Sequence, residues 1–383
     1  MFQRRFHSII RSTFPLLMVL TILAVSSSGF AQESGWRAWL YSSLDGSIRT
    51  ADHNGAVIDA YTLPLSQAFN AYGESVSVSA TGRYVAYIAY DSTSDSGSQQ
   101  LFVYDHNLQS IRFAQDISGA DALSFDYLPT AQAFDEPGER FAFAWLDEAQ
   151  SWRIIVADLT TGTAQAVGEA ASIPELVDYA VNYIPVIQQL GGTRVTFTLL
   201  PYGTEFMPEY PAFTWDFLAS TVTPEPDYNS LVTDANASGQ RVIARFDDSL
   251  PAAELTDDIP RLELNMFEVV DQRGERQWQY NETEGTIEQV YLIEGGQRVL
   301  AQVYEYAGDE RVLKVINADG TIDAELLGTL GDIQGTPDGF VGLFDNGGVP
   351  AMAYVNTAED TPAPAVIWSA DSAIPLQLVR VGG

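Results

Sequence analysis

The sequence predicts an all-β protein built from seven repeated four-stranded units, and three observations lead to this prediction. Apolar and polar residues alternate with a period of two along most of the 383 residues, which is typical of half-buried strands. Two short patterns recur at the spacing of a structural repeat. The two ends of the chain also complement each other. No segment shows the periodicity of a long amphipathic helix.

The first recurring pattern is a glycine-containing turn, then arginine, then an apolar alternating run. Six copies carry the arginine, at Arg37, Arg83, Arg140, Arg194, Arg241 and Arg298. A seventh copy, "PDGFVGLF", has Phe340 in the arginine's place. Successive copies lie about 40 to 57 residues apart, which is a repeat length found in propellers and solenoids.

The second pattern is an apolar alternating run that ends in aspartate or asparagine and is followed by a turn. Its seven copies end at Asp52, Asp105, Asp158, Asp216, Asp271, Asn317 and Asn356. The two patterns alternate strictly, so each unit supplies one strand before the glycine turn, one after it, one ending at the aspartate and one beyond. Seven such units predict a β-propeller of seven blades, with six or eight blades as alternatives.

The ends of the chain predict how the ring closes. The first unit begins at "GWRAW" with no apolar strand before its arginine, whereas the chain ends in "PLQLVRVGG". That ending is similar to the strands that lead into the other glycine turns, such as "QVYLIEGG". We therefore expect residues 376–381 to complete the first blade, which pairs strand edges that would otherwise promote aggregation.

The recurrent arginine and aspartate are expected to face each other across a hairpin at one rim of the propeller. We expect cross-strand ion pairs, or hydrogen bonds to the turn backbone, for Arg83–Asp105, Arg140–Asp158 and Arg194–Asp216. In the sixth unit Arg298 faces an asparagine, and Asp319 is the expected substitute. Aspartate also suits the turn because its side chain accepts a hydrogen bond from the backbone two residues on.

The best-matching units, "VSVSATGRYVAYIAY" and "RIIVADLTTG", resemble the repeat of TolB-type, WD-repeat-like bacterial propellers. The Ser-Pro-Asp-Gly core of that repeat survives only as "TPDG" at residues 336–339. This resemblance implies a propeller that serves as an interaction or ligand-binding platform, often at the cell envelope. It implies no catalytic residue that can be transferred to this sequence.

The N-terminal residues have the three parts of a secretory signal peptide. Three arginines within "MFQRRFHSIIRSTF" precede an apolar run over residues 14–25, and Gly29 and Ala31 are small residues suited to a cleavage site. The run is shorter than the roughly 20 residues of a membrane span, so an uncleaved anchor is the lesser alternative. We predict a Sec-type signal over residues 1–31 and one propeller domain over residues 32–383. The chain has no cysteine, so no lipid can be attached through a thiol at the cleavage site, and the protein is expected to be secreted or periplasmic.

The chain is strongly acidic, with 51 acidic against 19 basic residues and a formal net charge of −32. Such a surface repels nucleic acid and anionic lipid. It favours a basic partner or hard cations such as calcium. We predict no cofactor, with calcium as a possibility, no stable membrane span after signal cleavage, and a monomer. The single lysine is Lys314.

Two groups of residues are candidates for ligand binding in the loops. The acidic loop of the fifth unit offers Asp247, Asp248, Asp257 and Asp258 as hard-cation ligands, with a solvated acidic loop as the alternative. The aromatic loop of the fourth unit gathers Tyr202, Phe206, Met207, Tyr210 and Phe213. These side chains either form an exposed contact patch or fold back on the blade.

The two histidines beyond the signal, His53 and His106, each stand in an Asp-His-Asn triplet. Their separation equals one blade, so we interpret them as equivalent turns of adjacent blades and not as a metal or catalytic pair. No Gly-x-Ser-x-Gly, His-Glu-x-x-His or P-loop pattern occurs.

The leading functional hypothesis is a non-enzymatic exported propeller that binds a protein, peptide or envelope component through its loop-bearing face. The alternative is a carboxylate-based glycan hydrolase or lyase with a site at the central channel. Carboxylates that converge beside a pocket at the channel mouth would favour the enzyme. A shallow aromatic surface lined by loops would favour binding.

Overall fold

The protein is represented by a computed structural model, and the seven-bladed β-propeller predicted from the sequence is confirmed. The structure describes residues 35–64, 69–91, 98–123, 133–149, 151–167, 170, 173–202, 210–226, 229–231, 233–236, 238–247, 249, 264–327, 331–357, 363–370 and 375–382. Their strands form seven antiparallel sheets, which are the blades of a ring.

The blades follow one another along the chain, and blades 2 to 7 each run from the inner to the outer strand. Blade 1 contains β1 (Arg37–Ser42), β2 (Ser47–Asp52) and β3 (Val57–Thr62); blade 2 contains β4 (Phe69–Val78), β5 (Tyr84–Asp91), β6 (Gln99–Asp105) and β7 (Ser110–Asp116). Blade 3 contains β8 (Ala120–Leu123), β9 (Phe134–Asp135), β10 (Arg140–Asp147), β11 (Trp152–Asp158) and β12 (Thr163–Val167). Both β8 and β9 pair with β10, so the inner strand of this blade is in two pieces.

The remaining blades have the same order. Blade 4 contains β13 (Tyr183–Gly191), β14 (Arg194–Pro201), β15 (Ala212–Asp216) and β16 (Thr221–Pro224); blade 5 contains β17 (Thr233–Ala235), β18 (Arg241–Arg245), β19 (Met266–Val270) and β20 (Arg276–Asn281). Blade 6 contains β21 (Gly285–Ile293), β22 (Arg298–Glu305), β23 (Glu310–Asn317) and β24 (Ile322–Leu327); blade 7 contains β25 (Gly331–Thr336), β26 (Gly339–Asp345), β27 (Pro350–Asn356) and β28 (Ala365–Ser369). Short 3₁₀ helices occupy Val177–Tyr179 and Glu294–Gly296.

The ring closes as predicted, because the last strand, β29 (Leu376–Gly382), pairs antiparallel with β1 as the inner strand of blade 1. Val381 lies opposite Ala38 in this pairing. The backbone N–H of Val381 also donates to Gln334 Oε1 of β25 at 2.7 Å. The closing strand is therefore bonded to its own blade and to the blade before it.

Apolar side chains fill the spaces between adjacent blades. The largest cluster joins blades 2, 3 and 4, where the rings of Trp152 and Phe197 meet edge to face at 5.8 Å. Another cluster joins blades 7 and 1 and includes Val341 and Leu40. Further clusters join blades 1 and 2, blades 5 and 6, and blades 6 and 7, because the side chains of a strand alternate between the two faces of its blade. Within the described ranges, no helix is long and apolar enough to cross a membrane.

Glycine in the turn after the third strand lets one blade approach the previous one closely. Gly55 has a φ of +78°, and a Cβ placed on it would lie 1.9 Å from the carbonyl oxygen of Ile367 in β28. Gly162 lies in the corresponding turn of blade 3, one position later, and a Cβ on it would lie 3.1 Å from the carbonyl oxygen of Arg112. The turn of each of these blades is therefore seated on the outer strand of its neighbour.

Replacement of Gly55 by alanine is expected to destabilise the fold more than the same change at Gly320. Both glycines are fourth in equivalent turns and have positive φ, +78° and +81°, but a Cβ on Gly320 has no atom of the described residues within 4 Å. Gly320→Ala should cost about 1–2 kcal/mol for the left-handed backbone alone. Gly55→Ala carries the additional displacement of Ile367. Urea unfolding of both variants measures the difference, and equal losses would contradict the contact between blades 7 and 1.

Candidate functional site

The recurrent aspartates at the rim hold the turns that follow them. Asp158 Oδ1 accepts from the backbone N–H of Thr161 at 3.0 Å, and Asp216 Oδ1 accepts from that of Ala219 at 3.0 Å. These hydrogen bonds keep the pKa of Asp158 and of Asp216 below its usual value. Both carboxylates are therefore occupied by local structure.

Arg83, one of the recurrent arginines, reaches beyond its own blade. Arg83 Nη2 lies 2.9 Å from Asp105 Oδ2 within blade 2 and 2.8 Å from Glu139 Oε1 in blade 3. Hydrogen bonds to Asp105 and Glu139 outweigh burial and raise the pKa of Arg83 above its ordinary range. This cation therefore joins two neighbouring blades.

In blades 3 and 4 the arginine lies directly opposite the aspartate, as the sequence predicts, but the contacts differ. Arg194 is opposite Asp216, and its Nε is 3.7 Å from Asp216 Oδ2. Arg140 is opposite Asp158, yet its guanidinium donates to the carbonyl oxygen of Gly192 in blade 4. Arg140 thus links blade 3 to blade 4, a role that the hairpin pattern does not predict.

Two details of the predicted rim series are wrong. Asp319 does not replace the missing aspartate for Arg298, because its Oδ1 accepts from the backbone of Thr321 at 3.0 Å. Arg298 Nη1 lies 3.1 Å from Glu294 and 3.2 Å from Asp323 instead. In blade 7 the sequence pattern put Phe340 in the place of the recurrent arginine, but the residue opposite the asparagine at position 356 is Gly339. Phe340 is the next residue along the strand, and its side chain is fully buried.

His106 lies in a contact between blades 1 and 2. Its Nε2 is 2.6 Å from Asp59 Oδ2, and its ring stacks on Tyr61 with centroids 3.9 Å apart. His53 Nε2 is 3.0 Å from the side-chain nitrogen of Asn54. The contacts of His106 come from the neighbouring blade 1, and the contact of His53 comes from its own turn.

The acidic loop is only partly described. Asp247 Oδ1 accepts from the hydroxyl and the backbone N–H of Ser249 at 2.6 and 2.9 Å, which holds the pKa of Asp247 below its usual value. Asp248, Asp257 and Asp258 lie outside the described residues. Where side chains are described, no three His, Asp or Glu residues are grouped so as to hold a metal ion. Calcium binding by this loop stays a prediction.

The aromatic loop folds back on its blade where it is described. Tyr210 and Phe213 are buried, and Tyr202 packs against the largest apolar cluster. An exposed contact patch is therefore wrong for Tyr210 and Phe213, because both side chains are used in packing against blade 4. Phe206 and Met207 lie outside the described residues.

Charged and polar side chains come together on the inner strands of four consecutive blades, which surround the central channel. They are Asp234 of β17, Tyr291 of β21, Asp332 of β25 and Arg380 of β29. Tyr291 interacts electrostatically with both Asp234 and Asp332, and Asp234 with Arg380. Asp234 Oδ2 accepts from the backbone N–H of Leu292 at 2.8 Å. Asp332 Oδ2 accepts from that of Leu378 at 3.4 Å. Each carboxylate thereby joins its inner strand to the next one.

The channel wall shifts the proton affinity of these groups. Burial raises the pKa of Asp234 to about 6, although the Leu292 N–H and the charge of Arg380 oppose this shift. Burial likewise raises the pKa of Asp332 and lowers that of Arg380. Arg380 Nε is buried and has no hydrogen-bond partner among the described residues. The sequence does not predict this cluster. Its members are recognisable there only as charged residues within predicted strands that lie near glycine turns, which does not show that they approach one another.

Asp234→Asn is expected to change the pH dependence of stability in a defined direction. The pKa of Asp234 rises from about 3.9 in the unfolded chain to about 6 in the fold. The folded protein therefore binds this proton more tightly, and the resulting gain in the free energy of unfolding is present below about pH 4 and is lost as pH rises through 6. The asparagine oxygen can still accept from Leu292. The variant should match the wild type near pH 4 and exceed it by up to about 3 kcal/mol above pH 7. Urea unfolding at both pH values tests this, and a variant less stable at neutral pH would contradict it.

An open groove lies between the outer parts of blades 3 and 4. It has a volume of about 710 Å³, and its lining includes Gln165 of β12, Glu175, Trp215, Phe217 and Val222. Trp215 is only 3% exposed, yet its Nε1 has no hydrogen-bond partner among the residues that the structure describes. The groove therefore combines an apolar floor with a polar rim, as ligand sites commonly do.

Comparison with known proteins supports the fold and does not extend to function. No protein-family model matches the chain, and no curated protein matches it. Similar solved structures include TolB from Acinetobacter baumannii (12% identity, 80% of this chain and 67% of that chain, TM-score 0.42). Others are a prolyl endopeptidase (11%, 87% and 50%, TM-score 0.54) and the Dos1 propeller (12%, 88% and 86%, TM-score 0.50).

The fold and these similarities define the class of this chain as a β-propeller protein. Identities of 11% and 12% show the fold alone. The chain spans half the length of the prolyl endopeptidase that it resembles. Membership of the TolB-type family stays a prediction from the repeat pattern.

Proposed function

We propose that this protein is an exported, non-enzymatic β-propeller that binds a protein, peptide or other envelope component. The observation that carries the proposal is the use of the channel carboxylates as structural acceptors. Asp234 and Asp332 each accept from a backbone N–H of the next inner strand. These acids help to hold the ring together, whereas the groove between blades 3 and 4 is open.

One observation favours the alternative, a glycan hydrolase or lyase at the channel. A carboxyl group with a pKa of about 6, as at Asp234, suits a general acid near neutral pH. A glycosidase also needs a second carboxylate across the scissile bond, at a separation of roughly 5 to 10 Å. Asp332 is the described candidate for that role. We rank this function second because both carboxylates already bond the backbone.

The predicted export rests on residues 1–31, and the acidic surface supports a basic partner. A formal charge of −32 increases encounter with cationic surfaces and suppresses contact with nucleic acid. Expression of the full chain followed by fractionation and N-terminal sequencing tests export. The expected result is an exported chain that begins at Gln32, and a chain that stays in the cytoplasm with its N-terminus intact would contradict it.

Affinity capture tests the binding function. The chain from residue 32 onward is immobilised and exposed to solubilised envelope at about 150 mM salt, where weak surface charge attraction is screened. A resin that carries polyglutamate is the control for charge alone. We expect a component that the protein retains and polyglutamate does not. Identical retention on both resins, or retention on neither, would contradict the proposal.

A further inference from the structure

The closing strand of the ring carries an arginine without a partner. Among the described residues, the guanidinium of Arg380 on β29 makes neither a hydrogen bond nor an ion pair. Burial lowers the pKa of Arg380, and no hydrogen bond offsets this effect. A charged group that is taken partly out of water destabilises a fold unless it is paired. A negatively charged group supplied by a ligand would remove that cost.

The charges that act on Arg380 place its guanidinium in the central channel. It interacts electrostatically with Glu136 of blade 3 and with Asp234 of blade 5. Blade 2 separates blade 1 from blade 3, and blades 6 and 7 separate it from blade 5. A side chain of blade 1 can approach both carboxylates only across the space that the inner strands enclose. Arg380 is partly exposed, and Nε is the buried nitrogen of its guanidinium, so a molecule in the channel can reach Nη1 and Nη2.

The two carboxylates that act on Arg380 have structural hydrogen bonds but no cation beside them. Glu136 accepts from the backbone N–H of Thr81 at 2.8 Å and from its hydroxyl at 2.7 Å, and Asp234 accepts from the N–H of Leu292. Both acids are partly exposed. Each carboxylate oxygen has two lone pairs, so both groups can accept further hydrogen bonds. Opposite charges therefore share the channel but are held apart.

A molecule that fills this gap has to carry both charges. A simple anion on Arg380 would be repelled by Asp234 and Glu136, and a simple cation on these carboxylates would be repelled by Arg380. An α-amino acid carries an ammonium group beside a carboxylate and therefore suits both sides. Asp332 is exposed, and Tyr291 interacts electrostatically with both Asp332 and Asp234. This additional carboxylate favours a second positive charge on the side chain of the ligand.

We propose that the central channel binds a free α-amino acid with a cationic side chain, whose carboxylate pairs with Arg380 and whose α-ammonium group pairs with Asp234 and Glu136. This site goes beyond the binding of an envelope component proposed above and does not depend on it.

The test titrates L-lysine into the chain from residue 32 onward in a calorimeter at neutral pH, above the pKa of Asp234. Cadaverine, which is lysine without its carboxylate, and ε-aminocaproate, which is lysine without its α-ammonium group, are the ligand controls. Arg380→Met removes the guanidinium and keeps an unbranched side chain. Asp234→Asn removes a negative charge and keeps an oxygen for Leu292. Arg311→Met removes an exposed arginine of blade 6 and is the matched control.

We expect the wild type and Arg311→Met to bind lysine, and to bind both ligand controls more weakly. The dissociation constant for lysine should be at least about tenfold higher in Arg380→Met and about fivefold higher in Asp234→Asn. The urea midpoint of Arg380→Met should not fall, since its guanidinium has no partner to lose. A wild type that binds no lysine, or an affinity that Arg380→Met leaves unchanged, would overturn the proposal. If Arg380→Met does not fold, equal affinity of the wild type for lysine and cadaverine would overturn it.

The outcomes for this site and for the envelope partner can be told apart. If lysine binds through Arg380 but no envelope component is retained, the channel site stands and the proposed function does not. If an envelope component is retained by a protein that binds no lysine, the proposed function stands and the channel site does not.

Discussion

Replacement of Lys314 by methionine is expected to lower the free energy of unfolding by about 3–5 kcal/mol, the usual cost of removing one partner of a buried ion pair. Lys314 lies in the middle of β23 and is 1% exposed. Its Nζ is 2.7 Å from Glu305 Oε1 and 3.1 Å from Glu282 Oε2. Glu282 is also 1% exposed, so the variant leaves a carboxylate buried without its cation.

The partner of Lys314 provides a rescue variant, and a surface pair provides the control. Glu282→Gln in the Lys314→Met background removes the unpaired charge and keeps an oxygen for the backbone N–H groups of Thr283 and Glu284, which lie at 3.0 and 2.8 Å. It should recover much of the loss. Arg311→Met breaks an ion pair at 57% exposure and should cost no more than about 1 kcal/mol. Equal losses in Lys314→Met and Arg311→Met would contradict the buried network.

The pH dependence of this network follows from the pKa of Lys314. Burial alone would lower the pKa of Lys314, but hydrogen bonds to Glu305 and the charge of Glu282 raise it above the usual range. A raised lysine pKa gives a contribution that is complete below about pH 10 and is lost as pH rises through the folded pKa. Lys314 itself therefore adds no pH dependence to the difference between wild type and Lys314→Met from about pH 6 to pH 9, and a difference that shrinks as pH falls reports protonation of the unpaired Glu282 in the variant.

Deletion of residues 371–383 is expected to unfold blade 1. The deletion removes β29, the inner strand of that blade, together with the buried side chains of Leu378 and Val381. Two such side chains contribute about 3–6 kcal/mol, to which the lost strand pairing adds. The truncated chain should melt at a lower temperature, and proteolysis should cut first within blade 1.

Complementation in trans distinguishes ring closure from general damage. A synthetic peptide with the sequence of β29 should restore the melting temperature of the truncated chain. The same peptide with aspartate in place of Leu378 and Val381 is the control and should not. A truncated chain that melts like the wild type would contradict closure of the ring by β29.

The blades and their closure could be predicted from the sequence because the relevant signals are local. Alternation within a strand, the turn aspartate and the glycine turn each depend on a few consecutive residues. The contacts between blades could not be predicted from the sequence, because they depend on how one sheet is rotated against the next. Arg140 illustrates this: its hairpin partner is correct, but its guanidinium reaches Gly192 in the following blade.

The candidate sites were less accessible to prediction. Lys314 did have a signal, as the single lysine of the chain within the apolar run "VLKVIN". Asp234 and Arg380 are brought together only by closure of the ring, and no local pattern marks their approach. The groove combines Gln165 of one blade with Trp215 of the next, so its outline appears only after the blades are packed.

The mass of the captured envelope component tests the central claim, that this propeller binds and does not convert its partner. The component is measured by mass spectrometry before and after incubation with the wild type and with the Asp234→Asn/Asp332→Asn double variant. We predict that its mass is unchanged in every sample and that both proteins retain it equally. A cleaved product that forms with the wild type and is absent with the double variant would contradict the account and place an enzyme at the channel.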